Sequence, residues 1–334
     1  MTRSAFAAIA ATMLLAACSG ASPMPQDTGS PSTLALPARA IVAQRSAERA
    51  SWMSSAAASA KSLLYVSDAG TFEVYAYAFP SLALMGTLTG FNRPQGECSD
   101  RAGNVWITNT NSLNLLEYAH GGTNAIADLA DPTGYPVGCA VNPATGDLAV
   151  TNLFDLSGGG EVLVYKNARG TPRPYGNPAL HYCYFDAYDD KGNLYVSGSS
   201  NGGAYLLTLL KPGGTALSHV ALTGGTIYFP GGVAWDGSSL VLGDQKCGNR
   251  DASCLYRASV SGATAHITGV TALKNACDVA QASIAGKQVA GGDYEYCGTR
   301  HSSVDLWPYP AGGTPDKRIT RTETPVGTTI SEKP

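Results

Sequence analysis

The chain has 334 residues, of which 44 % are hydrophobic and only 14 % charged, with a formal net charge of −3. That balance allows a sizeable core and excludes the clustered Lys and Arg that nucleic-acid binding requires. The 39 Gly and 19 Pro fit a turn-dense all-β protein.

Arg3 and an apolar stretch from Ala5 to Leu15 precede Leu15-Ala16-Ala17-Cys18, the layout of an export signal. The apolar run is too short for the ~20 residues that span a bilayer. Leu-Ala-Ala-Cys resembles the lipobox of bacterial lipoproteins. That resemblance implies cleavage after residue 17, lipidation of Cys18 and anchorage to a membrane of the bacterial cell envelope. By resemblance to proteobacterial sorting, Ser19 after the cysteine points to the outer membrane. From residue 18 to about 61 the chain is rich in Ser, Ala and Pro and lacks alternating runs, so a flexible tether is expected. Residues 38–60 lack Gly, but the apolar positions follow no helical period; a frayed helix is the most that stretch supports.

From residue 62 a repeat governs the chain. Gly103-Asn104, Gly146-Asp147 and Gly192-Asn193 each precede a strand-like run, with weaker copies at Gly237-Ser238 and Gly286-Lys287, at intervals of 43, 46, 45 and 49 residues. A second series, Gly121-Gly122-Thr123, Gly213-Gly214-Thr215 and Gly312-Gly313-Thr314, runs out of phase with the first. Both dipeptides suit hairpin positions that need φ above zero. Two hairpins per unit make four strands, and a period of 40 to 50 residues points to a β-propeller. Units begin near residues 63, 94, 136, 183, 230 and 275, which predicts six four-stranded blades over residues 62–334. The last strand-like segment, 324–331, has no blade of its own, and Leu63 to Asp68 lacks a first strand. Pairing the two closes the ring and removes both open edges.

The segments PQGECSDRAGNVWITNTN, PVGCAVNPATGDLAVTN and YFDAYDDKGNLYVSG resemble NHL-type repeats, in which a Pro-x-Gly lead-in is followed by Asp-x-x-Gly-Asn. The resemblance covers residues 63–331. It implies a propeller but no particular activity, because related propellers include binding modules, structural proteins, lactonases and lyases.

Blade topology places the Gly-Asn and Gly-Gly-Thr turns on one face. The lead-ins to innermost strands and the loops between second and third strands lie on the other. Seven cysteines fall on that second face, and export favours disulfides. Cys247 with Cys254, Cys277 with Cys297 and Cys98 with Cys139 are the expected pairs, which leaves Cys183 single. No Cys-x-x-Cys pair occurs, and His181 beside Cys183 lacks a third group to orient a base. Glu97 aligns with Cys139, Asp186 and Val233. Glu97 and Asp186 are therefore expected to face the central channel, with Asp278 nearby. Propellers similar to gluconolactonase and regucalcin hold a divalent cation on such ligands, and calcium suits oxygen donors. Carboxylates satisfied by neighbouring amides and channel water are the simpler account, with no cofactor. Asp68, Asn109, Asn152, Asp244 and Asp293 end successive second strands, and shaping of the following loop accounts for them. The second face also carries Phe91, Tyr135, Tyr182, Tyr184, Tyr228, Phe229, Tyr294 and Tyr296, rings suited to sugars or peptide side chains.

Two functions remain. One is a monomeric, lipid-anchored module that binds a protein, glycan or small molecule through the second face. The other is a metal-dependent, lactonase-like hydrolase at Glu97, Asp186 and Asp278.

Overall fold

The computed structural model describes residues 49–294 and 301–334. The described chain is almost entirely β-structure. A first set comprises β1 (Trp52–Met53), β2 (Ser62–Asp68), β3 (Glu73–Ala78) and β4 (Ala83–Leu88). The second comprises β5 (Pro94–Ser99), β6 (Val105–Asn109), β7 (Asn114–Tyr118) and β8 (Ala125–Ala130). The third is β9 (Gly134–Val141), β10 (Leu148–Asp155), β11 (Glu161–Tyr165) and β12 (Arg173–Gly176). There follow β13 (Tyr182–Tyr188), β14 (Leu194–Ser199), β15 (Tyr205–Leu210) and β16 (Ser218–Thr223). Next come β17 (Pro230–Trp235), β18 (Leu240–Asp244), β19 (Ser253–Ser261) and β20 (Thr264–Leu273). The chain ends with β21 (Val279–Ala285), β22 (Gln288–Asp293), β23 (Ser303–Pro308), β24 (Lys317–Ile319) and β25 (Pro325–Glu332).

These strands form five sheets in a propeller-like arrangement. Three are four-stranded meanders, β5 to β8, β9 to β12 and β21 to β24. The first sheet runs β1-β4-β3-β2-β25, so the last strand pairs antiparallel with the first long one, Leu63 opposite Ser331. The remaining sheet has eight strands, because β16 and β20 pair in parallel and join two meanders by their outer edges. The innermost strands β25, β5, β9, β13, β17 and β21 lie beside one another in that cyclic order, and β21 returns to β25.

The repeated residues of the sequence have local reasons. Gly103, Gly146, Gly192, Gly237 and Gly286 all take positive φ in the turns between first and second strands, where a side chain would be strained. The Pro-x-Gly glycine serves a different need. A methyl group on Gly96 would collide with the Val137 carbonyl, and one on Gly327 with that of Gln95. Adjacent inner strands thus approach through their glycines. Gln281 of β21 reinforces the same wall: its Oε1 accepts the Glu97 and Thr328 N–H groups at 3.0 and 3.1 Å, and its Nε2 donates to the Glu97 carbonyl at 2.8 Å. Between sheets the packing is apolar, as in the cluster of Leu63, Tyr65, Val74, Leu88, Val105 and Ile107 joining the first and second.

Most of the expected tether, residues 18–48, lies outside the described residues; its last part, 49–61, is paired rather than loose and forms no α-helix. Trp52–Met53 adds a fifth strand to the edge of β4, and a 3-10 turn follows at Ala57–Ser59. Arg49 pairs with Glu73 at 2.6 Å, and its carbonyl accepts the Thr89 hydroxyl. Ala57 is buried, and His120 bridges the Ala60 carbonyl and the Ser331 hydroxyl at 2.9 and 2.6 Å. Backbone pairing covers an otherwise open edge, which a two-residue strand achieves without a visible sequence pattern. The segment therefore crosses the outer edge of the first sheet from the second face to the turn face.

Candidate ligand face

The second face has a stiff foundation. Asp68 Oδ1 accepts N–H bonds from Gly70, Thr71 and Thr324 at 3.0, 3.1 and 2.8 Å. Asn109 Oδ1 accepts the Asn92 N–H at 2.6 Å, and Asp244 Oδ1 those of Phe229 and Lys246 at 3.0 Å each. Asp293 Oδ1 accepts from Cys277 and Asp278 at 3.2 and 3.1 Å. Asn152 instead donates to Asp131 at 3.1 Å and Glu161 at 3.3 Å. All five side chains bond the lead-in of the first strand of their own sheet, and only Asp68 and Asp244 also bond the loop that follows, the task expected of the whole series.

On this foundation lies a chain of rings. Tyr135 at the start of β9 meets Phe154 at the end of β10, centroids 5.2 Å apart. Phe154 meets Tyr182 of β13 at 6.4 Å, and His181 stands edge-on to Tyr182 at 4.5 Å. All four are half-buried. Further round, Tyr184 packs on Phe229 at 5.6 Å, and Tyr228 is 45 % exposed. The expected set therefore divides. Tyr135, Tyr182, Tyr228 and Phe229 present surface, Tyr184 is buried, and Tyr294 is buried with its hydroxyl donating to Gln245 at 2.9 Å. Phe91 is buried against Tyr118. Tyr296 lies outside the described residues. Phe154 escaped the sequence reading because β10 runs to Asp155, three residues beyond Asn152, where the repeat places the strand's end.

The three candidate ligand carboxylates do not form one set. The register does align Glu97 with Cys139, Asp186 and Val233, opposite Ile107, Val150, Val196 and Leu242. Their side chains are buried, however. Glu97 is 1 % exposed and accepts the Ser67 hydroxyl at 2.6 Å, between the first and second sheets. Burial pushes its carboxyl well above the ordinary range, against the lowering effect of Ser67 and the Thr329 N–H. Asp186 is 5 % exposed, both oxygens lack a hydrogen-bond partner, and burial likewise drives its pKa up. Asp278 lies 3.4 Å from the Lys246 ammonium. Among the described residues no group of three or more His, Cys, Asp or Glu side chains is placed to hold a metal.

Cys98 and Cys139 are bonded, as are Cys247 and Cys254. The second bond staples the loop between β18 and β19. The first links β5 to β9 in mid-strand, within a core of Trp106, Leu148 and Val150, rather than at the lead-ins on the second face where the repeat placed it. Cys277 is disulfide-bonded, and its expected partner, Cys297, lies outside the described residues. Cys183 is free and fully buried. Burial first, then Asp186, Glu161 and Asp155, push its thiol well above the ordinary value. A neutral, enclosed thiol is a poor nucleophile, so a Cys183–His181 pair has no catalytic basis here.

No protein-family model matches the sequence, and no curated protein sequence matches it. Solved structures do match in fold. A chain from the crystal structure of a nidogen/laminin complex aligns with TM-score 0.64 and 15 % identity, over 81 % of this chain and 99 % of that one. A protein of unknown function from Bacteroides caccae aligns with TM-score 0.60 and 12 % identity over the same shares.

Proposed function

We propose that the chain is an exported, lipid-anchored binding module, a six-bladed propeller of NHL type that meets its partner through the ring-bearing second face. The count of six treats the eight-stranded sheet as two blades whose outer edges have joined at β16 and β20. The observation that carries the functional reading is the run of half-buried rings Tyr135, Phe154 and Tyr182 across two sheets. A monomeric folding domain gains by burying such rings fully, and surface left on adjacent aromatics is surface available to a partner. The lipobox-like Leu15 to Cys18 supports placement in the bacterial envelope, on the outer membrane. The fold is compatible with protein binding, since one structural neighbour comes from a nidogen/laminin complex.

The test uses the envelope-purified protein in a screen of glycans, peptides and envelope proteins. A ligand should bind wild type and bind Phe154→Ala and Tyr182→Ala at least about tenfold more weakly, the effect of losing ~1.4 kcal/mol or more at an aromatic contact. Equal binding by both variants, with unchanged melting, would place the site elsewhere. Mass spectrometry of the same protein tests the anchor, with an acyl-modified Cys18 as the expected amino terminus.

A further inference from the structure

We infer that the ring-bearing face seats on the lipid surface to which Cys18 anchors the chain; this rests on the lipid-anchored reading above. Three observations place the face there. The described chain begins at Arg49, held by Glu73 at the start of β3 and by Thr89 just after β4. Both positions lie on the second face. The route from the anchor therefore joins the domain on the side that carries Tyr135, Phe154 and Tyr182. Only 30 residues, 19–48, separate Cys18 from Arg49. Attachment on this side allows the anchored domain to turn the same face toward the bilayer.

The second observation is the loop after β10. Leu156 is 63 % exposed, the most exposed large apolar side chain among the described residues. Asp155 folds back beneath it, its Oδ1 accepting the N–H groups of Ser157, Gly158 and Gly159 at 2.7, 2.7 and 3.1 Å and the Ser157 hydroxyl at 2.6 Å. The loop thus holds its carboxylate against its own backbone and leaves leucine outward, flanked by Phe154.

The third is the chemistry of the rings. Tyr135, Tyr182 and Tyr228 each carry an apolar body and a polar hydroxyl, the combination that suits the boundary between headgroups and acyl chains. Within the ring run Tyr135–Phe154–Tyr182 and its Leu156 loop there is no Lys or Arg. Contact would therefore come from insertion of apolar groups rather than attraction to anionic headgroups, and it would be insensitive to salt.

The experiment uses the full lipidated protein in vesicles of phosphatidylethanolamine and phosphatidylglycerol, with an NBD fluorophore on Leu156→Cys. A control carries it on Ala144→Cys, an exposed site on the turn face; the native Cys183 thiol is buried and does not compete. NBD at 156 should shift to the blue and be quenched severalfold more by nitroxide-bearing lipid than NBD at 144. The double substitution Tyr182→Ser/Tyr228→Ser should weaken that quenching while the protein stays on the vesicles. NBD at 156 reporting water on vesicle-bound protein would overturn the inference and leave the anchor standing. A response only to soluble muropeptides or peptides would also overturn it, in favour of a soluble ligand. Protein without an acylated Cys18 would defeat the anchored reading, and the inference with it.

Discussion

Asp186 is a carboxyl group enclosed by protein, with no hydrogen-bond partner for either oxygen. Burial disfavours its charged form, so its pKa in the folded protein lies well above the ordinary 3.8. Below that ordinary value the group is protonated whether the chain is folded or not, and it contributes its full share of stability. As pH rises the unfolded chain ionises first, and stability falls until pH passes the folded value. Glu97 has the same sign, as does Asp293, which burial lifts to about 6 despite the N–H bonds of Asp278 and Cys277. Mild acid, between about pH 4 and 6, should therefore raise the melting temperature. Asp186→Asn should raise it at pH 7 and flatten its dependence on pH; thermal melts of both proteins across pH 4 to 8 check this, and parallel curves would refute it. The sequence placed Asp186 in the correct register and led to the expectation that it faces the channel; its enclosure without a partner was not legible, because register fixes the level of a side chain and not what surrounds it.

Whole strands were more legible than side chains. Turns with positive φ must be glycine or a close substitute, and close approach of inner strands needs glycine again, so both left a periodic mark. Gly96→Ala tests the second requirement: overpacking against the Val137 carbonyl should cost about 1–3 kcal/mol, read as a lower denaturant midpoint with unchanged slope. Alanine at the open turn position Gly146, where nothing lies within 4 Å of an added methyl, suffers only the strain of its φ of 74°, about 1 kcal/mol. The segment 49–61 left no such mark. Two paired residues are too few to alternate, and its bonds run through backbone groups and short polar side chains. Joining of β16 to β20 was equally hidden, since parallel pairing at outer edges depends on how far two hairpins extend, not on a residue type.

At the scale of the molecule, neighbouring sheets are held by packing, by side-chain bonds such as those of Gln281 and, among the described residues, by the Cys98–Cys139 tie. Cys98–Cys139 closes a sequence separation of 41 residues across the second and third sheets. On a chain-entropy account that is worth about 4 kcal/mol. Cys98→Ser/Cys139→Ser should lose stability of that order in urea titrations while retaining the wild-type circular dichroism spectrum; a loss below 1 kcal/mol would assign the cohesion to the apolar core alone.

Lys333 offers its N–H to the Lys61 carbonyl at 2.9 Å and its ammonium to that of Ala58 at 3.0 Å, while β25 lies alongside β2. Where the order of strands begins is then a matter of covalent bookkeeping. A permuted gene could join residue 333 to residue 61 by a short linker and reopen at the exposed Gly146 turn. It would keep every strand pairing of β2 to β25 and lose only β1 and its strap. Its product should fold with the same spectrum, and with a free end on the turn face, opposite the rings. Such a permutant would let an anchor be attached on either side of the domain at will, separating where the protein is tied from what its rings touch.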